Sequence, residues 1–478
     1  MEPNQILEEQ TRRIINREGV RFFSLQSYSN IKMVNLIHLA ISVILLVIIL
    51  IVFSREKLDY VAYSLVCSLL ICIITPMLLS VDDIALHLPW LDPDYGEVSW
   101  LRIFINMIEF EPIMFIIGMQ LIVLIAEKYN IFQWIAVKSI HLTKGNHRVF
   151  FYVICIISTI TAAIIADVTV AIIFIPLVIS ACRSLKIRSA PYLYGVTITI
   201  NVGSVLTPFS SSKNVLISSE FGLNIFWFGK NLGPFILISL FLTLTLLDIF
   251  VLSKHKPRDE NRRELFLEIM NPDLVIINRK KFKWNSIFFI FVIIGFVVLS
   301  GYSYLISFIG GILICLLNRE TFTEMLRKID LKVVFFFISV FLLVGSMELN
   351  GVFSYIGTYV GSTELDNTYI VAVITLLVSS IMSGFLASNP TAVFLVTIMQ
   401  GIFPFEIPNI VAIALVLGVN FGGNVLPQGA TCDLVTLNIA KEKKVRNFSY
   451  RSLFKLGGKI AILHITLSLI YISIYSLF

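Results

Sequence analysis

What most constrains this chain is the recurrence of apolar runs about as long as the hydrocarbon core of a bilayer. Residues 34–53 contain no Asp, Glu, Lys or Arg, and roughly 20 apolar residues let a helix cross. Comparable or somewhat shorter runs cover 61–81, 103–126, 234–252, 286–299, 304–317, 333–347 and 459–477. In hydrocarbon every backbone N–H and C=O has to be bonded inside the protein, and a helix of this length does that. Composition agrees: 57% of residues are hydrophobic and 14% charged, with a mean hydropathy of +0.88, against about 45–50% and about 25% in soluble domains. The expected fold class is an all-α polytopic membrane protein, with the lipid bilayer as its first partner. The net charge of +6 calls for no nucleic acid, because cytoplasmic loops of membrane proteins are rich in Lys and Arg. Cys67, Cys72, Cys155, Cys182, Cys315 and Cys432 lie in or beside apolar runs without metal-ligand spacing and read as small hydrophobes. A cleavable signal peptide is not expected, since a polar segment, 1–33, precedes the first run.

Two apolar segments are interrupted by the same kind of polar sequence. The first is Asn201-Val202-Gly203-Ser204-Val205-Leu206-Thr207-Pro208-Phe209-Ser210-Ser211-Ser212-Lys213-Asn214. The second is Asn420-Phe421-Gly422-Gly423-Asn424-Val425-Leu426-Pro427-Gln428-Gly429-Ala430-Thr431-Cys432-Asp433. Aligned without a gap, Asn201 faces Asn420, Gly203 faces Gly422, Pro208 faces Pro427, Ser212 faces Thr431 and Asn214 faces Asp433. A polar break in a membrane helix is costly unless it lines protein or a cavity. Matched breaks in two halves are the best sequence pointer to a transporter's binding site.

The rest of the chain falls into order around these breaks. In the first half, 34–252, a re-entrant hairpin at about 150–181 with Asp167 at its tip precedes the broken span at about 192–217. In the second half, 285–478, a hairpin at about 369–403 with Ser388-Asn389-Pro390-Thr391 at its tip precedes the broken span at about 410–437. Between them, 253–284 holds nine Lys or Arg against five Asp or Glu. The positive-inside rule puts that loop in the cytoplasm, with the basic connections 54–59, 127–148, 183–189, 318–332 and 441–455, and leaves acidic 82–99 and 350–367 outside. Counting spans then puts both termini outside and inverts one half relative to the other. Two inverted repeats, each of about five spans plus a re-entrant hairpin, make a secondary-transporter layout.

At a midplane break, free helix N-termini suit anions and free carbonyls suit Na⁺. Gly203, Gly422 and Gly423 permit the turn and close backbone approach. Thr169, Ser210, Ser211, Ser212, Thr391, Thr431, Asn201, Asn214, Ser388, Asn389 and Asn420 supply neutral oxygens and donors. That set suits a small oxyanion, a neutral oxyacid or Na⁺; tight helix packing is the plainer explanation of such small residues. Asp167 and Asp433 are intramembrane carboxylates, candidates for a proton or cation relay or for capping a helix start. Lys213 can meet an anion, pair with Asp167 or reach for the interface.

These stretches resemble the ion transporter superfamily, in particular its arsenite-permease and sodium–proton-antiporter branch, with citrate and divalent-anion transporters as cousins. Pro112-Ile113-Met114-Phe115-Ile116-Ile117-Gly118-Met119 is similar to that branch's third-span signature. Ala166-Asp167-Val168-Thr169 with Pro176 resembles its first hairpin. Asn201-Val202-Gly203-Ser204 through Asn214-Val215-Leu216-Ile217 resembles its first break, and Ser388-Asn389-Pro390-Thr391 with Asn420-Phe421-Gly422-Gly423 the second-half counterparts. The resemblance implies a scaffold, a mobile transport domain, a homodimer and an elevator-like motion. The chain also departs from the antiporter pattern. Ala166 and Ser388 replace the first residue of Asp-Asn hairpin tips, and Ser210-Ser211-Ser212-Lys213-Asn214 stands for Gly-Asp-Pro-Pro-Asn. Three acids are absent and a lysine is added, which leans toward an anion or neutral oxyacid.

The expectation is secondary active transport of a small inorganic or organic anion, or an arsenite-like oxyacid, coupled to H⁺ or Na⁺. A Na⁺/H⁺ antiporter on the same fold is one alternative; an ion channel or non-transporting membrane subunit is another. No enzyme is expected, since no Ser/His or metal-ligand arrangement and no phosphate loop appears, and no cofactor beyond a coupling ion.

Overall fold

A computed structural model describes residues 35–53, 59–79, 99–144, 146–253, 271–351, 367–386, 388–403 and 406–477. The polar segment 1–33, most of the acidic connections and the first part of the basic central loop lie outside the described residues. The described chain is helical. Its helices are α1 Leu36–Phe53, α2 Tyr60–Leu78, α3 Trp100–Asn106, α4 Phe110–Lys128, α5 Ile131–Leu142, α6 His147–Ala162, α7 Asp167–Ser184, α8 Ala190–Gly203, α9 Ser212–Glu220 and α10 Ile225–Leu247. They continue as α11 Arg279–Val298, α12 Ser303–Leu317, α13 Phe322–Leu326, α14 Leu331–Leu349, α15 Thr368–Leu386, α16 Ser388–Ile402, α17 Asn409–Gly422, α18 Thr431–Glu442 and α19 Tyr450–Tyr475. Among the described residues 8 helices are long and apolar enough to cross a membrane. The all-α polytopic class is thus what the apolar runs build.

Polar residues just outside the apolar stretches set where helices begin. Asp59, Asn146, Asn224 and Asn278 each accept a hydrogen bond from the first turn of the helix they precede, and Ser449 and Ser452 close a capping box on α19. Such caps satisfy N–H groups that the helix leaves free. Pro112 and Pro191 sit in the first turns of α4 and α8, where a missing N–H removes no helical bond.

Two expected stretches come out differently. The run 103–126, read as one span, is split: α3 stops at Asn106 and α4 starts at Phe110. Glu109 and Glu111 stand at the split, where charge and a following proline favour a helix start over a continuous helix. The basic connection 127–148, read as a loop, contains the twelve-residue helix α5. Its Ile131, Phe132, Ala136, Val137 and Ile140 are buried, a helical apolar stripe that Lys138 within it and Lys128 and Lys144 on either side obscured.

The described residues fall into two compact units. One takes those of Met1–Glu109, Phe335–Asp366 and Thr397–Ile407, the other those of Phe110–Val334, Asn367–Val396 and Pro408–Phe478. Each draws on both halves of the chain. In the first unit, α1 packs on α2, and a buried polar knot ties them to α14. His38 Nε2 lies 3.0 Å from Thr75 Oγ1 and 3.2 Å from Ser346 Oγ, and the two hydroxyls are 2.6 Å apart. In the second unit, α15 packs on α17, α4 on α12, α6 on α8, α17 on α19 and α7 on α18. A β-carbon on Gly118 would overlap the Ser307 backbone, so α4 and α12 touch backbone to backbone.

Candidate functional site

All the residues singled out from the sequence lie in the second unit, at helix ends. Asp167 and Thr169 open α7. Asn201 and Gly203 close α8; Ser210 and Ser211 lie in the loop that follows; Ser212, Lys213 and Asn214 open α9. Ser388, Asn389 and Thr391 open α16. Asn420 and Gly422 close α17, Gly423 follows it, and Thr431 and Asp433 open α18. Four helix starts, with free N–H groups, are thus combined with two helix ends, with free carbonyls.

The breaks are held by glycines that nothing larger can replace. A β-carbon on Gly203 would overlap the Thr159 carbonyl oxygen of α6, and one on Gly422 would overlap the Ser380 backbone of α15. In both halves, then, the broken helix rests its last turn directly on the backbone of the hairpin's first helix. Hydroxyls reinforce the contact. Thr159 Oγ1 donates to the Thr199 carbonyl at 3.2 Å, Thr207 Oγ1 to the Ala163 carbonyl at 2.5 Å, and Ser383 Oγ to the Val419 carbonyl at 2.5 Å.

The two breaks are then joined crosswise. Asn201 Nδ2 donates to Asp433 Oδ1 at 2.9 Å, and Asn420 Nδ2 donates to Asn214 Oδ1 at 2.8 Å. Each asparagine at the end of a broken helix therefore bonds the residue that opens the next helix in the other half. Asn214 Nδ2 in turn donates to the Ser204 carbonyl at 2.8 Å, the Thr207 carbonyl at 3.2 Å and Ser210 Oγ at 3.2 Å. Ser210 Oγ also donates to the Ser204 carbonyl. The loose carbonyls at the end of α8 are thereby satisfied by side chains of its own break, as burial requires.

The second hairpin tip joins the same network. Ser212 Oγ donates to Asn389 Oδ1 at 3.1 Å, Lys213 Nζ donates to Ser388 Oγ at 3.3 Å, and Ser388 Oγ lies 3.4 Å from the Gly429 carbonyl. Asn201, Ser211, Lys213, Asn214, Ser388, Thr391, Asn420 and Asp433 are all buried. Asp167 is half-buried and its Oδ1 accepts from the Val168 N–H of its own helix at 2.8 Å, the capping alternative. It also lies near enough to attract the Lys213 ammonium, as does Asp433. Thr169 is half-buried beside it, and Thr431 is exposed. Two buried oxygens in the breaks, Ser211 Oγ and Asn420 Oδ1, have no hydrogen-bond partner among the described residues. Pro208 and Phe209 of the first break wall a cavity of about 240 Å³ that Glu111, Ser218, Asn224 and Tyr304 also line.

One residue changes its reading. Cys432 is not merely a small hydrophobe: its Sγ donates to Asn201 Oδ1 at 2.8 Å, completing the bonding of that amide. Its place in the second break, one residue before Asp433 and opposite Lys213 in the alignment, is the signal that could have found it.

Apolar helices that cross the bilayer, two of them broken and joined through buried amides and a carboxylate, make up a polytopic membrane transporter. The chain belongs to the Citrate transporter family (CitMHS), whose profile matches residues 31–419. The match stops just before Asn420, so the second break rests on its likeness to the first and on the hydrogen bonds that join them. Among similar proteins is a "46 kDa membrane protein" of Mycobacterium leprae, 21% identical over 76% of this chain and 86% of the relative. An uncharacterized transporter of Mycobacterium bovis is 24% identical over the same shares. A transporter named arsB in Dictyostelium discoideum is 29% identical over 35% of this chain and 29% of its own length.

Proposed function

We propose that this chain is a secondary active transporter of a small inorganic or organic anion, or of an arsenite-like oxyacid, coupled to H⁺ or Na⁺. The observation that carries the reading is the crosswise pair, Asn201 with Asp433 and Asn420 with Asn214. Side chains from two matched breaks meet there among four helix starts. Helix N-termini, hydroxyls, amides and Lys213 provide donors for oxygen-rich substrates, and Asp433 is a buried acid able to carry a proton. Substrate would bind between the hairpin tips and the breaks, and alternating access, elevator-like, would expose that site to one side and then the other. We further propose a homodimer in the cell membrane, with the loop 253–284 in the cytoplasm and both termini outside. The family description and the arsB relative favour trying citrate and arsenite first.

The test is pH-dye fluorescence in proteoliposomes holding a proton gradient, with Na⁺, Li⁺, arsenite, citrate and a panel of small anions added in turn. Proton movement on adding arsenite or an anion is the expected result and names the substrate. Movement on Na⁺ or Li⁺ alone overturns this reading in favour of a Na⁺/H⁺ antiporter. Flux that neither saturates nor runs uphill overturns it in favour of a channel. Where the dye stays silent, tracer uptake with and without a Na⁺ gradient decides.

A further inference from the structure

Lys213 is the odd residue of the site. It is 5% exposed, in the first turn of a helix at a break in a membrane span. A buried ammonium is expensive unless it is paired and hydrogen-bonded, yet among the described residues its one hydrogen bond goes to a neutral hydroxyl, Ser388 Oγ at 3.3 Å. An ammonium has three donors. Two carboxylates, Asp167 and Asp433, act on it electrostatically, and among the described residues neither forms an ion pair with it. Asp433 is bonded to Asn201, and Asp167 to the start of its own helix.

Oxygens gather where Nζ ends. Its partner Ser388 Oγ also approaches the Gly429 carbonyl, so with Asp167 and Asp433 the hydroxyl, backbone carbonyl and carboxylate oxygens of this region come from the two hairpin tips and the second break. Neutral oxygens and loose carbonyls at broken helices are what hold a dehydrated Na⁺. The pseudo-symmetry of the breaks adds a second acceptor. At the position matching Lys213, Cys432 donates to Asn201 Oδ1. The corresponding oxygen of the other half, Asn420 Oδ1, is buried without a partner among the described residues. In one half a donor fills the asparagine; in the other the lysine at that position turns to Ser388 instead.

We propose that the Lys213 ammonium is a tethered cation that fills, in this chain, the place of a soluble coupling cation, so that the site needs no Na⁺. This rests on the breaks being the transport site, and it narrows the coupling ion to H⁺. Removing the amine then opens a vacant oxygen-lined place flanked by two carboxylates, and Na⁺ or Li⁺ enters it.

The test reads cation binding without substrate and without transport, so its failure is separate from failure of the transport reading. The purified full chain in detergent is melted in choline chloride replaced stepwise by NaCl or LiCl at constant ionic strength. The wild type and Lys213→Arg, which keeps the charge, are expected to show a flat Tm. Lys213→Ala and Lys213→Gln are expected to show a saturable rise of about 2 °C or more with Na⁺ or Li⁺ and none with choline. A wild-type Tm that rises specifically with Na⁺ overturns the proposal, and this arm needs no variant. Neutral variants as flat as the wild type overturn it too. Neutral variants that fold only when purified in NaCl support it; variants that fold in neither salt overturn it, because the position then requires the amine itself.

Discussion

At the scale of single residues, Asn201 and Asn214 each use both ends of their amides. Asn201 donates to Asp433 and accepts from Cys432, so Asn201→Ala leaves two buried groups short of a partner. Removing one partner of a buried hydrogen bond costs about 1–3 kcal/mol, enough to lower Tm modestly but not to unfold a large helical protein. We expect Asn201→Ala and Asn420→Ala each to remain folded by size-exclusion chromatography and to lose tracer uptake at least tenfold. Full transport in both would remove the breaks from the site. Cys432 separates donor chemistry from bulk. Cys432→Ser keeps a donor to Asn201 Oδ1 and is expected to transport within about threefold of wild type, whereas Cys432→Val removes it and is expected to fall with Asn201→Ala. Uptake rates of the pair check this. Asp433→Asn keeps the acceptor that Asn201 needs and matches Asn214 in the other half. Its Tm is expected to stay near the wild-type value while uptake no longer responds to an imposed pH gradient.

Element-scale behaviour is set by the glycines where broken helices meet hairpin helices. With no side chain at Gly203 or Gly422, α8 lies directly on α6 and α17 directly on α15. An added methyl has to push two backbones apart, and overpacking of this kind costs about 1–3 kcal/mol or more. Gly222 is the control. It has φ +63° and open space around its Cα, so alanine there meets only the left-handed backbone penalty of about 1–2 kcal/mol. We expect Gly203→Ala and Gly422→Ala to lower Tm in detergent by more than Gly222→Ala, and to reduce uptake where Gly222→Ala does not. The same elements show what local sequence could not reveal. The split at Met107–Glu109 and the helix α5 follow from how charge and apolar stripes are shared with neighbouring helices, and a hydropathy run averages over both.

For the molecule as a whole, many apolar side chains outside the site, such as Leu237, Phe241 and Phe291, are exposed. On a protein whose solvent is lipid these are the expected outer surface. Orientation is the property to measure at this scale. If the basic central loop is cytoplasmic, a cysteine introduced at the exposed Ser253, in a chain otherwise free of accessible cysteines, reacts with an impermeant maleimide only from the cytoplasmic side. Labelling from the outside would reverse the proposed topology.

Lipid as solvent, most of the helices and both polar breaks were legible in the amino-acid order alone. Apolar runs near twenty residues long leave no other backbone solution in hydrocarbon, and Gly, Ser and Asn inside such runs mark where the solution changes. Only the tertiary structure decided the pairing. The partners Asn201 and Asp433 are 232 residues apart, and Asn420 and Asn214 are 206 apart. Nothing in the neighbourhood of any of the four says that the bonds run between halves and not within them. Local periodicity reports which face of a helix is apolar; which helix ends meet depends on how distant helices stack. That stacking also turned Cys432 from a small hydrophobe into a donor and gave the buried Lys213 its oxygen neighbours.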